Sequence, residues 1–131
     1  MAWSFDFLAD RAVLRVTVTG RLTLDAIQRM TPILLEHAER HGTDRILVDH
    51  RGAELALSTV EIHFLPDVLK GAGAPHDVHA AIVIAEDNPR REDYRFLEAR
   101  TTKMGFRRRV FVDYEAALDW LTAGATHGDR P

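Results

Sequence analysis

Cysteine is absent from the chain, which excludes disulfides, thiolate metal sites and cysteine nucleophiles. No apolar stretch approaches the roughly 20 residues that a membrane-spanning helix needs. The N-terminal residues lack a basic region followed by an apolar run, so we expect no signal peptide. The net charge of −3 provides no field that would draw the chain onto nucleic acid or an acidic membrane. Together these absences favour a cytoplasmic protein with no nucleic-acid partner and no membrane span.

The composition is that of an ordinary globular domain. Of the 131 residues, 46% are hydrophobic and 28% are charged, and the length suits one domain with one core. We place this domain at residues 1–122. Residues 123–131 are mostly small and polar, and we expect them to form a flexible C-terminal tail.

The longest nearly continuous apolar run lies at residues 78–86 and reads Val-His-Ala-Ala-Ile-Val-Ile-Ala-Glu. Turn-forming glycine, proline and asparagine residues precede and follow it. A short apolar run with such boundaries is typical of a strand that is buried on both faces of a parallel sheet. His79 lies near its start, where a histidine is usually a hydrogen-bonded structural residue.

The rest of the chain alternates between strand and helix patterns. The patterns predict strands at residues 5–8, 13–19, 45–49 and 108–112, and helices after Thr23, after Ser58, at 91–104 and after Asp113. The first two strands are close enough to pair antiparallel, whereas strands separated by helices pair in parallel. The predicted fold is a single α/β domain with a mainly parallel four- to five-stranded sheet and an antiparallel N-terminal strand.

Several of these strands alternate between apolar and polar residues, which indicates that helices cover mostly one face of the sheet. The other face then carries Arg15, Thr17 and Leu47. Apolar side chains on an exposed sheet need cover, and a symmetric pair of chains is a common way to supply it. We therefore expect a homodimer with Leu47 in its interface.

Two of the predicted helices contain a proline, Pro32 in the first and Pro66 in the second. Proline inside a helix removes one hydrogen bond and causes a kink, although Thr31 and Pro32 could instead begin a new helix. Interruptions at both positions could open a pocket between the helices and the sheet. The expected occupant of such a pocket is a small apolar, lipid-like ligand.

Five local phrases follow the strand ends and helix starts of this predicted fold, at residues 16–23, 45–49, 81–84, 105–111 and 115–121. In their order they resemble the SpoIIAA-like branch of the STAS fold, the anti-sigma-factor-antagonist family. The resemblance covers nearly the whole chain but contains no catalytic signature. It implies a small regulatory or ligand-binding module, related in shape to lipid-binding domains of the Sec14 type.

The chain departs from this family at one position. Typical antagonists carry a phosphorylatable serine in an Asp-Ser-Ser-Gly-like turn directly after the third strand. Here residues 49–53 read Asp-His-Arg-Gly-Ala and contain no hydroxyl group. The resemblance therefore implies a module without the phosphoserine switch.

Asp49, His50 and Arg51 follow a strand of the predicted parallel sheet. Ligands of open α/β sheets bind beyond the carboxyl ends of the strands, so these residues, with Ser58, form a candidate ligand- or partner-binding site. They could instead be a capping aspartate with two solvated neighbours, and the capping-box spacing of Ser58 and Glu61 explains that serine without a phosphate. A hydrolase built on Asp49 and His50 ranks lower because no nucleophile stands at a motif position.

A basic stretch near the last strand is a second candidate. Arg107 and Arg109 should share one face of that strand, with Arg108 on the other. The pair could form an anion-binding patch, or it could belong to a solvated face with salt bridges.

His37 and His41 lie one helical turn apart, which is a spacing that metal ligands use. No third ligand is evident and the order of residues is not that of zinc proteases, so we expect no metal and no cofactor.

We interpret the chain as a non-enzymatic regulatory binding module that resembles anti-sigma-factor antagonists. Its expected contacts are a regulatory protein partner and a second copy of itself. The alternative is a carrier or sensor of a small apolar ligand held between helices and sheet.

Overall fold

The centre of the structure is a five-stranded sheet whose strands lie side by side in chain order. The computed structural model describes residues 2–73, 75 and 77–128. Its strands are β1 (Ala2–Leu8), β2 (Val13–Leu22), β3 (Arg45–Leu55), β4 (His79–Val83) and β5 (Arg107–Phe111). β1 is antiparallel to β2, and all other neighbouring pairs are parallel. The predicted mixed sheet with an antiparallel N-terminal strand is confirmed.

Four helices surround the sheet, namely α1 (Leu24–Arg40), α2 (Thr59–Gly71), α3 (Arg91–Lys103) and α4 (Tyr114–Gly128). Thr23 caps α1 by accepting a hydrogen bond from the backbone N–H of Ala26 at 3.2 Å. None of these helices, as far as the structure describes them, is long and apolar enough to cross a membrane. α4 runs through the predicted boundary at residue 122, and residues 129–131 of the predicted tail lie outside the described residues.

The larger core lies between α1, α2, α3 and one face of the sheet. β2, β3 and β4 contribute alternate apolar residues to it, among them Val16, Val48 and Ile82. The prediction that most helices cover one face is confirmed, since three of the four described helices pack there.

α4 packs against the opposite face and forms a smaller core with it. Its apolar side, which includes Ala117 and Leu121, covers Leu47, Ala81 and Val83. α4 follows the last strand, so no crossover to a further parallel strand constrains the face on which it packs. Residues 81–84 of the run at 78–86 are thus buried as predicted, whereas residues 78–80 are partly buried and Glu86 is exposed. The strand itself spans only His79–Val83.

The expected dimer interface at Leu47 is wrong because this side chain is 0% exposed beneath α4. The chain itself supplies the cover that we expected from a second copy. Only the polar part of the predicted open face is accessible, and its residues Arg15 and Thr17 are partly buried.

β3 continues well past the predicted loop start at residue 50. Its register against β2 moves from Thr17 opposite Asp49 to Thr19 opposite Gly52, so two residues of β3 face a single residue of β2. This is a β-bulge at His50 and Arg51, a feature that proteins often place beside binding sites. The predicted loop at 50–57 is therefore corrected to a bulged strand that ends at Leu55.

α1 passes through Pro32 without a new start, so of the two alternatives at this position the restarted helix is wrong. Pro32 lies on the exposed side of the helix. Gln28, whose carbonyl loses its helical partner there, is exposed as well, so water can satisfy that carbonyl.

Candidate ligand-binding site

Asp49 and Arg51 form a close ion pair beside α4. The Arg51 Nε and Nη2 atoms donate to the two carboxylate oxygens of Asp49 at 2.9 and 2.8 Å, and the Arg51 backbone N–H donates at 3.0 Å. Burial alone would raise the pKa of Asp49, but these hydrogen bonds outweigh it and lower that pKa. Asp49 is therefore an ionised residue held by its neighbour rather than a proton donor.

The same face carries a second arginine. Arg15 donates from Nη1 to the Tyr114 hydroxyl at 3.0 Å and from Nη2 to Asp6 at 3.2 Å. The guanidinium carbon of Arg51 lies 5.1 Å from the centre of the Tyr114 ring. On this surface, Arg15 and Arg51 are each bound to an aspartate, and both contact Tyr114 at the start of α4.

His50 lies on the other side of β3, in the larger core. It is 7% exposed, and its Nδ1 lies 2.9 Å from the hydroxyl oxygen of Tyr94 on α3. Burial, together with the positive charge of Arg108, lowers the pKa of His50 to about 4. His50 is thus neutral at pH 7 and does not join Asp49 in an acid–base pair.

Tyr94 and Arg108 complete a buried polar cluster around His50. Burial raises the pKa of Tyr94 to about 12, so its hydroxyl keeps its proton. Burial also lowers the pKa of Arg108 to about 10, which still leaves the guanidinium charged at pH 7. The cluster therefore holds one net positive charge and two neutral groups.

Arg108 occupies the inward-facing position of β5. As a whole residue it is partly exposed, but its Nη1 atom is enclosed and has no hydrogen-bond partner among the described residues. Its strand neighbours Arg107 and Arg109 are both exposed. The predicted division of these three arginines between two faces is confirmed.

The two exposed arginines contact residues of their own surface. Arg107 Nη1 lies 3.3 Å from Nε2 of His79, and the Arg109 guanidinium lies 5.2 Å from the centre of the Phe111 ring. Both line an open groove beside Trp120. Whether this groove holds an anion stays a prediction.

A cavity of about 110 Å³ lies between α1, the end of α2 and the sheet. Its wall is almost entirely apolar, and its polar groups belong to Thr31, His50 and Arg108. The apolar residues along the wall are Ile27, Met30, Leu34, Leu35, Ile46, Val48, Leu69, Pro75, Val78, Ala80, Ile82 and Phe106. The space lies between helices and sheet, where the sequence predicts a pocket, but neither Pro32 nor Pro66 lines it.

Ser58 is not part of this cluster. It caps α2 in a capping box, in which the Glu61 N–H donates to Ser58 Oγ at 3.1 Å and the Ser58 N–H donates to Glu61 Oε1 at 2.8 Å. The capping interpretation is confirmed. The four predicted site residues thus divide into the Asp49–Arg51 pair, the buried His50 and a surface cap.

Arg90 joins the end of β3 to α3 near this cap. Its guanidinium donates to the carbonyl oxygens of Leu55 at 2.8 Å and Leu57 at 2.9 Å, and to Asp93 at 2.5 Å. These bonds hold the connection between β3 and α2 against the N-terminus of α3, which carries Tyr94.

The two histidines of α1 pack on aromatic rings of β1. His37 stacks on Phe5 with ring centres 4.2 Å apart, and His41 stacks on Phe7 at 4.4 Å. Among the side chains that the structure describes, no group of three acidic or histidine residues is placed to hold a metal ion.

Tyr94 and Arg108 belong to the site, although no sequence motif marks them. In the sequence, Tyr94 is one position of the predicted helix at 91–104, and Arg108 is predicted only to face away from Arg107 and Arg109. An arginine on the inward face of a strand is a readable signal, because such a charge needs a partner or a ligand.

Comparison with protein-family models and with curated proteins finds no match. Among solved structures, the chain matches the crystal structure of an uncharacterized DUF3478-family protein from Shewanella loihica PV-4, which has a SpoIIAA-like fold. The two are 26% identical over 92% of each chain, with a TM-score of 0.56. The resemblance found in the sequence is confirmed at the level of the fold: this chain has the SpoIIAA-like fold.

Proposed function

We propose that this chain is a non-enzymatic module that binds a small apolar ligand between α1, α2 and the sheet. The supporting observation is the cavity of about 110 Å³ with its apolar wall. A dry cavity of about 150 Å³ lined by similar residues admits benzene, so this space suits a molecule of comparable or smaller size. This volume holds only a small part of a lipid, which narrows the lipid-like ligand expected from the sequence.

The polar residues near the cavity support binding rather than catalysis. His50, with its pKa of about 4, is a poor general base near neutral pH. The Thr31 hydroxyl, the nearest candidate nucleophile on the wall, donates its hydrogen to the Ile27 carbonyl at 2.8 Å. Asp49 belongs to the opposite face of β3, so the alternative of a hydrolase built on Asp49 and His50 has no support in the geometry.

The same geometry supports a module without a phosphoserine switch. Residues 49–53 lie inside β3 rather than in a turn after it, and they carry no hydroxyl group. The hydroxyl of Ser58 already serves the capping box of α2. Any regulation by this chain would therefore follow occupancy of the cavity rather than phosphorylation at that turn.

Benzene and butan-1-ol are direct probes of the cavity. Both should raise the Tm of the wild-type protein and shift amide resonances of cavity residues, since a ligand that binds only the folded state stabilises it. Ala80→Leu, on the cavity wall, should abolish these shifts, while Ala99→Leu on the exposed side of α3 should leave them unchanged. If neither probe shifts any cavity resonance in the folded wild-type protein, the proposal is wrong.

A second candidate function is protein binding through α2 and α3. Val60, Phe64 and Phe96 are 64%, 54% and 42% exposed on these helices, and His63 stacks on Phe96 with ring centres 6.3 Å apart. Clustered exposed aromatic residues mark interaction surfaces more often than scattered ones do. The expected homodimer, if it forms, would use this surface in place of Leu47.

Sedimentation velocity over a dilution series tests this second candidate. Wild-type protein should associate as its concentration rises, and Phe64→Ser with Phe96→Ser should keep the chain monomeric and folded. Val112→Ser provides the control, because Val112 is also exposed but lies outside this surface. A wild-type chain that stays monomeric throughout would remove the homodimer.

A further inference from the structure

We propose that the cavity selects a small apolar carboxylic acid and that the enclosed guanidinium of Arg108 binds the ligand's carboxylate. This inference rests on the proposed function and specifies the chemical class of its ligand. It is carried by the position of Arg108 on the cavity wall and by the Nη1 atom that the fold leaves without a partner.

Arg108 has no counter-ion within the described part of the chain. None of the ion pairs formed there includes it. Glu98 lines a smaller space beside Arg108, but its Oε2 accepts the backbone N–H of Val110 at 2.5 Å on the outer strand. The Glu98 carboxylate is therefore bound to the backbone of β5 and forms no ion pair with Arg108 among the described residues.

His50 and Tyr94 surround the guanidinium without neutralising it. They hydrogen-bond to each other at 2.9 Å, and both are uncharged at pH 7. Among the described residues that line the cavity, Arg108 is the one with a permanent charge. The wall thus offers a single cation at one place and hydrocarbon elsewhere.

An unpaired enclosed charge is costly, and a carboxylate from a ligand would supply the missing hydrogen-bond acceptor. Guanidinium and carboxylate groups match in geometry and form strong charge-assisted hydrogen bonds. The apolar wall would enclose the hydrocarbon part of the same ligand. A cavity of about 110 Å³ limits that part to a few carbon atoms.

Butanoate and butanamide separate charge from shape, because they have the same number of non-hydrogen atoms and differ in the anionic group. In NMR titrations at pH 7, butanoate should bind wild-type protein at least about tenfold more tightly than butanamide. Acetate, which has the charge but little hydrocarbon, should bind more weakly than butanoate. Butanoate should also shift the side-chain nitrogen resonances of Arg108, and butanamide should not.

Arg108→Met keeps the bulk of the side chain and removes its charge. It should abolish the preference for butanoate while leaving the binding of butan-1-ol in place. Arg109→Met is the matched control, since Arg109 is the next residue of β5 but lies exposed on the other face, and it should keep the preference.

Each outcome separates the two proposals. If butan-1-ol and benzene bind but butanoate shows no preference over butanamide, the carboxylate proposal is overturned and the apolar site stands. A preference for butanoate over butanamide that survives in folded Arg108→Met also overturns the carboxylate proposal. If Arg108→Met fails to fold, the Arg108 resonances of the wild-type protein decide, and their failure to move with butanoate overturns the proposal. If no probe binds, the proposed function itself is wrong.

Discussion

His50 Nδ1 and the Tyr94 hydroxyl oxygen lie 2.9 Å apart, and this contact joins the bulge of β3 to α3 across the larger core. Consecutive residues of a strand point to opposite faces of the sheet, so Asp49 and His50 enter different environments. Asp49 pairs with Arg51 beside α4, while His50 enters the interior with Tyr94 and Arg108. The alternation of side chains along β3 thus divides the polar groups of the candidate site between the two faces of the sheet.

Mild acid should destabilise the protein through His50. Its pKa is about 4 in the folded protein and 6.5 as an ordinary value, so the unfolded chain takes up this proton first as the pH falls. The stability that comes from keeping His50 neutral is fully present above pH 6.5 and is lost as the pH falls from 6.5 to 4. The free energy of unfolding should drop by on the order of 3 kcal/mol over this interval. Asp49, with its lowered pKa, adds a separate loss only below its ordinary value of 3.8.

Urea unfolding at several pH values between 7 and 4 measures this effect. His50→Gln should flatten the pH dependence, because glutamine does not titrate and can still bond to Tyr94. His63→Gln, at an exposed position, is the control and should retain the wild-type slope. Equal slopes for wild type and His50→Gln would contradict the assignment.

Leu47→Ala should lower the free energy of unfolding by about 2–5 kcal/mol, the range for truncating a buried leucine. The reason is that Leu47 is 0% exposed between the sheet and α4. Ile33→Ala, at a side chain 38% exposed, should cost much less. Chemical denaturation measures both values. A Leu47→Asp protein that is folded and as stable as wild type would show that α4 does not cover this position.

Ser58→Ala should cost about 1 kcal/mol in the free energy of unfolding, since it removes the hydroxyl oxygen that accepts a hydrogen bond from the Glu61 N–H in the first turn of α2. Thr59→Ala, at the next exposed residue, should have a smaller effect. Ser58→Ala should also leave ligand or partner binding intact. Lost binding in a folded Ser58→Ala protein would mean that this hydroxyl has a role beyond capping.

Amides of β4 should be among the slowest in hydrogen exchange. β4 (His79–Val83) is paired on both sides and covered by helices on both faces, so its amides open only with much of the fold. β1, an edge strand, should exchange faster. Exchange in β4 as fast as in β1 would contradict the interior position.

Local patterns were sufficient for the elements and for much of their order. Apolar periodicity, the cap at Thr23 and the capping box at Ser58 are signals within a few residues, and the structure bears each of them out. Helix starts depend on hydrogen bonds between neighbours in the chain, so the sequence contains the whole of that information. The parallel arrangement followed because strands separated by helices rarely pair otherwise.

The face on which α4 packs was decided only by the tertiary structure. The sequence shows that this helix has an apolar side, but two sheet faces were open to it, and the choice removed Leu47 from the surface. The end of β3 depended likewise on a distant segment, since the second half of β2 offers the pairing that carries β3 to Leu55.

The chain by itself determined a SpoIIAA-like α/β fold, the absence of a hydroxyl group at residues 49–53 and an arginine triplet with one member turned inward. It did not determine that Arg108 would meet His50 and Tyr94, because these residues come from three elements that are far apart in sequence. Their proximity depends on strand order and on the docking of α3. The sequence shows the positive charge of Arg108 directly, whereas the enclosure of that charge depends on how the surrounding residues pack.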